Sequence, residues 1–266
     1  MRRVVLAAWL AACASSPPEA TVPADRAVRY AADTVAYHVN AWRLVEQDIQ
    51  GQTTRENVRR NLWMRAVLGP SQGDTLTALL GVDSITEIGS AFPQGDLAAA
   101  RGATWTARLA PNGHLMDFAG PTGSGVTSQL FNTLRDFYPR LPPDGVEAGD
   151  RWVDTVTQNV DLGGVIVTVT AVHHHEALGM EPHGAEQALR LRVATHYALS
   201  GTGSQSGQPL SLDGTGRRHA DEWISPRGRY LGSIAADTSQ FEILLTALGM
   251  SIPVRQWRAD TTRVVQ

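Results

Sequence analysis

From Ala27 to the end of the 266-residue chain, runs of alternating apolar and polar residues follow one another, separated by glycine, proline and asparagine. A period of two marks a strand with one face buried. Repeated this often, it restricts the chain to a mainly β architecture. In the first half the runs are Thr34 to Val45, Val58 to Leu68, Thr75 to Ile88, Thr104 to Leu109 and His114 to Phe118. In the second they are Arg151 to Leu162, Val165 to His175, Gln187 to Ser200, Leu210 to Ile224, Arg229 to Ala236, Phe241 to Leu248 and Pro253 to Val265. Gly69 to Gly73, Gly163-Gly164 and Pro226-Arg227-Gly228 read as turns between them. Pro111-Asn112-Gly113 contains the Asn-Gly pair that most strongly signals a hairpin.

One helix interrupts the pattern. Val126, Leu130, Leu134, Phe137 and Tyr138 recur at helical spacing, Ser124 is placed to cap the start, and Pro139 ends it. Asp96 to Arg101, closed by Gly102, predicts a further short turn. The expected fold is therefore a curved antiparallel sheet or half-barrel with one amphipathic helix at about 124–138, in a single domain over 27–266. The two halves echo each other. Asp33-Thr34-Val35 recurs as Asp154-Thr155-Val156, and Trp105 with Pro111-Asn112-Gly113 is matched by Trp223 with Pro226-Arg227-Gly228. A diverged duplication of a β-meander, with pseudo-halves 27–120 and 150–240, accounts for this. Turn chemistry common to all hairpins also does.

Hydrophobic content of 42% is ample for a core. The formal charge of -3 becomes -5 without Arg2 and Arg3, and no basic run suggests nucleic acid. All 23 basic residues are arginine, which excludes lysine Schiff-base and P-loop lysine chemistry.

Cys13 is the sole cysteine, so no disulfide supports the fold and a thiol-based site is not expected. It follows Arg2, Arg3 and a short apolar run from Val4 to Ala12, too short for the ~20 residues of a membrane span. Leu10-Ala11-Ala12-Cys13 resembles the lipobox of bacterial lipoproteins. That resemblance implies a signal peptide over 1–12, lipidation at Cys13 and a tether over 13–26 with Pro17, Pro18 and Pro23. It also implies a place in the cell envelope, and Ala14 after the cysteine favours the outer membrane, facing the periplasm. The membrane, through the N-terminal lipid, is the expected first partner.

Leu141 to Trp152 (LPPDGVEAGDRW) resembles a signature of an uncharacterised bacterial lipoprotein family, a domain of unknown function. Arg101 to Trp105, Leu199 to Gly203 and Gly228-Arg229-Tyr230 are similar to further segments of that family. The resemblance implies a fold like the LolA lipoprotein carrier, in which a curved sheet wraps helices around an apolar cavity. It brings no catalytic residues with it.

No catalytic motif appears in the chain. His173-His174-His175-Glu176 is the eye-catching cluster, with His183 nearby. On a strand, His173 and His175 share a face, so they are the candidate metal ligands, with a third ligand required from elsewhere. The alternative is the solvated end of a strand running into a loop at Gly179. Gly203 to Gly207 puts Gln205 where a nucleophile elbow needs serine and reads as a loop. Gly123-Ser124-Gly125 reads as a helix cap, and Asp150 as the close of a turn before a strand. Trp42, Trp63, Trp105, Trp152, Trp223 and Trp257 fall on predicted strands, where packing outweighs ligand contact. The expectation is a non-catalytic protein without a cofactor that binds an apolar or lipid ligand, or an envelope partner. The alternative is a metal-dependent enzyme using His173 and His175.

Overall fold

The computed structural model describes residues 27–89, 92–123, 125–161, 165–205 and 207–265. Cys13, the tether and Ser124 lie outside the described residues. Among the described residues, eleven strands form a single antiparallel sheet. They are β1 (Asp33–Ile49), β2 (Gln52–Gln72), β3 (Thr75–Ile88), β4 (Thr104–Leu109), β5 (Leu115–Ala119), β6 (Arg151–Asp161), β7 (Val165–His183), β8 (Glu186–Gln205), β9 (Gln208–Ile224), β10 (Tyr230–Leu245) and β11 (Met250–Val265). Among the described residues there are two α-helices, α1 (Gln94–Ala100) between β3 and β4 and α2 (Gly125–Leu134) between β5 and β6, and a single 3-10 turn at Thr246–Leu248.

The order across the sheet is β5-β4-β3-β2-β1-β11-β10-β9-β8-β7-β6. Two meanders thus meet where the first strand pairs with the last, from Ala36 opposite Val265 to Gln47 opposite Val254. The sheet does not close into a barrel, and β5 and β6 are its edges. It is nonetheless strongly curved. Leu62 of β2 and Val156 of β6 line the same cavity, although seven strand spacings would put them roughly 34 Å apart on a flat sheet.

The strands are far longer than the alternating runs alone suggested. β2 runs for 21 residues, through Gly69 and Pro70 with a shift of register against β3 between Leu68 and Ser71, and Gly73 and Asp74 make the turn. β10 is continuous across Ala236 to Phe241, which the sequence split in two. β7 does not end in a loop at Gly179. It bulges between Ala177 and Gly179 and continues to His183. A bulge inserts a residue and re-aims the strand without ending it, and glycine at φ 135° takes the strained position. Gln205 likewise still belongs to β8. The expected helix stops at Leu134, so Phe137 and Tyr138 lie beyond it. The motif pairs that suggested a duplication fall on β1 and β6, on β4 and β9, and in the turns after β4 and β9.

The main core fills the inner face of β1 to β4. Tyr37, Leu62, Met64, Leu80, Ile85 and Trp105 are sealed by Leu97 and Ala100 of α1 and by Val126, Leu130 and Leu134 of α2. Trp105 is fully buried, and its Nε1 donates to Pro121 O at 3.2 Å.

Beyond α2 the chain crosses the inner face as a strap without helix or strand, residues 135–141, which opens on a turn at 135–136. Aromatic packing holds it. Tyr138 packs edge-on against Tyr30, and Phe137 does the same against Tyr37 and Tyr230. Tyr30 Oη donates to Pro139 O at 2.7 Å, and Leu141 N donates to Asn112 O at 2.9 Å. The Asn-Gly hairpin therefore has a second duty. At Gly113 a Cβ would run into Pro139 O, so only glycine lets the turn meet the strap. The Leu141–Trp152 segment is structural. Val28 and Val146 form a bridge, and Glu147 N donates to Asp150 Oδ2 at 2.8 Å just before β6.

Candidate functional site

Between the strap and the inner face of the second meander lies a cavity of about 440 Å³, within the ~300–1,000 Å³ of ordinary small-molecule sites. Its roof is the end of α2, Asn132 to Leu134, and the strap from Asp136 to Arg140. Its walls come from β1, β2 and β6 to β11, with apolar contributions from Val39, Leu62, Val156, Val169, Val193 and Tyr230.

The inner face here is polar where the corresponding face under the helices is apolar. The registers align one row of side chains across seven strands: Asp154, His173, Thr195, Arg218, Asp237, Arg258 and Arg43. The next rows add His175 and Asp260 on one side and Glu222 with Ser233 beyond. The arginines that line the cavity are answered locally, whereas Asp154 Oδ2 is buried without a hydrogen-bond partner among the described residues. Arg218 lies 3.9 Å from Glu222 and 3.8 Å from Asp260, Arg258 lies 3.3 Å from Asp260, and Arg140 lies 3.1 Å from Asp136.

Asp237 accepts from Tyr197 Oη, which is 3.0 Å from both carboxylate oxygens. Tyr197 reaches across β9 to do so because Gly216 leaves room, and a Cβ there would strike the tyrosine ring. Burial pushes the carboxyls of Glu222 and Asp237 above their usual range. Arg218 opposes the shift of Glu222, while the Tyr197 hydroxyl and then Arg258 oppose that of Asp237.

The histidine cluster divides across the sheet. His173 and His175 face inward, and His173 Nδ1 is 2.9 Å from Thr195 Oγ1. His175 is only 5% exposed and stacks parallel on Trp152, with ring centroids 4.7 Å apart. Burial, then the neighbouring His173 and His174, lower its pKa from the usual 6.5 to about 3. Both its ring nitrogens are buried without a hydrogen-bond partner among the described residues. The reading of this stretch as a solvated strand end is thus corrected for His175. The rings of His173 and His175 are 5.9 Å apart, and no third ligand joins them: among the described residues no group of three His, Cys, Asp or Glu side chains converges to hold a metal. His183 is elsewhere, stacked on Trp223, whose Nε1 donates to Glu181.

The six strand tryptophans do lie on strands, but none lines the cavity. The inward-facing polar residues that the sequence reading missed are Tyr197, Arg218, Glu222, Asp237, Arg258 and Asp260, of which Arg218, Glu222, Arg258 and Asp260 line the cavity. A signal for two of them was present. In β9, Arg218 and Glu222 fall on the same alternation as Leu210, Leu212 and Ile224, so charge sits at inward positions.

No protein-family model matches this chain, and no curated protein does. Among solved structures it is similar to OccK2 (OpdF) of Pseudomonas aeruginosa, at 8% identity over 88% of this chain and 98% of that one, with a TM-score of 0.32. It is also similar to a putative exported protein with a YmcC-like fold from Bacteroides fragilis, at 11% identity over 90% and 97%, with a TM-score of 0.27. OmpT of Vibrio cholerae, in a loop-deleted form, gives 9% identity over 88% and 100%, with a TM-score of 0.22. Scores this low lend the chain neither a fold name nor a function.

Proposed function

We propose that this chain is a lipid-anchored, extracytoplasmic binding protein without catalytic activity, which holds an amphiphilic ligand in the cavity beneath the strap. The carrying observation is the cavity itself, which is built into the second meander and roofed by the end of α2 and the strap. Its lining mixes apolar side chains with paired charges, which suits a ligand with both an apolar and a polar part better than a purely apolar one. The lipobox at Leu10 to Cys13 supports the anchor, and a place at the outer membrane facing the periplasm follows from it as part of the same reading.

Two experiments test the proposal. Cys13→Ser is expected to move the protein from the membrane pellet to the soluble fraction; an unchanged pellet removes the anchor. Purified full-length Cys13→Ser protein is expected to carry a co-purifying amphiphile, detected by mass spectrometry of its organic extract, and to shift the emission of a fluorescent fatty acid. A clean extract with no shift overturns the binding reading.

A further inference from the structure

Two arginines of the cavity have their charge paired but their hydrogen-bonding capacity unspent. Arg218 lies 3.9 Å from Glu222 and 3.8 Å from Asp260, beyond hydrogen-bond distance, and Arg258 Nε lies 3.3 Å from Asp260 Oδ1. Neither guanidinium makes a well-directed hydrogen bond to another described residue. Arg140, by contrast, donates to Asp136 at 3.1 Å. Both side chains line the cavity and both can be reached, Arg218 being 32% and Arg258 41% exposed. They converge, since both lie within 4 Å of the same carboxylate, Asp260. Asp237 stands between them in the row, but its carboxylate accepts from Tyr197 and does not line the cavity.

A guanidinium carries five donors in a planar fork that fits a carboxylate or phosphate and offers no acceptor. An ammonium head would find nothing to accept its protons there. Arg140, Arg218 and Arg258 line the cavity against Asp136, Glu222 and Asp260. Burial raises the Glu222 carboxyl, and a protonated Glu222 leaves positive charge in excess. Next to the arginines the inner face turns apolar. Val169 lines the cavity and also packs on a second apolar cluster with Leu199, Phe241, Ile243 and Leu245, all half-buried. Every residue of that cluster comes from β7 to β10, and none from a helix or the strap. Phe241, Ile243 and Leu245 follow Asp237 on the same face of β10. At ~3.3 Å per residue they lie roughly 13–26 Å beyond it, which spans the ~15 Å of hydrocarbon in one bilayer leaflet.

We propose that the cavity takes an acyl chain with an anionic head, a carboxylate or a phosphate, the head held by Arg218 and Arg258 and the chain lying along Val169, Leu199, Phe241 and Ile243. This rests on the binding reading and narrows it.

The test titrates full-length Cys13→Ser protein by calorimetry with decanoate, decyl phosphate and decyl maltoside, each below its aggregation concentration, and with acetate and inorganic phosphate as heads alone. The tighter of the two anionic decyl probes names the head. It is expected to bind at least about tenfold tighter than decyl maltoside and than its own head alone. Adding Arg258→Gln is expected to cost that probe about tenfold and to leave decyl maltoside unchanged, which separates lost recognition from lost folding. Arg258→Lys keeps the charge without the fork and is expected to recover part of the loss. The inference fails if decyl maltoside binds as tightly as both anionic probes. It fails if acetate or inorganic phosphate matches its decyl counterpart, which would mark a site for small anions. It also fails if Arg258→Gln leaves the affinity of the anionic probe unchanged. Absence of binding by all three decyl probes would remove the binding reading as well.

Discussion

The inner face of one continuous sheet is used in two ways. Beneath α1 and α2, the inward positions of β1 to β4 are apolar and dry, with Met64, Leu80, Ile85 and Trp105 fully buried. Beneath the strap, the inward positions of β8 to β11 carry Tyr197, Arg218, Glu222, Asp237, Arg258 and Asp260. Backbone, pairing and alternation are the same in both regions. The cover differs. Helices supply enough side chains to exclude water, so large apolar residues are favoured opposite them. A short strap supplies few, a cavity remains, and the arginines facing it are paired with carboxylates. Burying a polar group without a partner costs free energy, so the pairing in the second region is the condition for its polarity.

The largest expected effect is on the dry side. Trp105→Ala should cost about 3–5 kcal/mol, read as a lowered urea midpoint, because it empties a fully buried site and strands the acceptor at Pro121. An effect below 1 kcal/mol would show that the helices seal this face less well than they do here. On the polar side, Gly216→Ala should cost about 1–3 kcal/mol by displacing the Tyr197 ring and freeing Asp237. Loss of the tyrosine–carboxylate contact is readable by ultraviolet difference titration.

Acid should distinguish the two regions next. His175 is neutral when folded down to about 3 but takes a proton near 6.5 when unfolded. The unfolded state therefore binds more protons between those values, and stability falls as pH drops through that window, by at most about 1.4 kcal/mol per unit. The raised pKa values of Glu222 and Asp237 act in the opposite sense, since their folded carboxyls accept protons more readily. Urea unfolding across this range should have a shallower pH slope in His175→Phe, and an unchanged slope would mean the ring is hydrated. Smallest of all, Arg151→Ala should change stability by less than about 0.5 kcal/mol, because its pair with Glu176 on the β6 edge is largely exposed.

Much of the fold was legible from local chemistry. Thr75–Ile88 and Thr104–Leu109 have the bounds that alternation and turn residues predicted, and the Asn112-Gly113 hairpin is where that pair placed it. Helical spacing located α2 but ran past its end, because Phe137 and Tyr138 are held by Tyr37, Tyr30 and Tyr230 rather than by helix packing. Glycine and proline misled where neighbouring strands were long enough to carry a strand through them, as at Gly69-Pro70 and Gly179.

The site was much less legible. His175 stood out, but for a metal set that the described residues do not complete. Its true setting, a stack on Trp152 beside a cavity, depends on the register of β6 against β7. The polar row is assembled from seven strands, one residue from each, and no local spacing announces such an alignment.

The seam between β1 and β11 also bears on how the molecule is made. Arg263 is within hydrogen-bonding distance of His38, 225 positions away. During synthesis β1 has one neighbour early, in β2, yet its other edge must wait for β11, made from residues 250–265. Contacts this remote in sequence make folding slow, and an unsatisfied edge invites foreign strands meanwhile. Assembly of the central seam therefore comes late, after β11 is available to pair with β1.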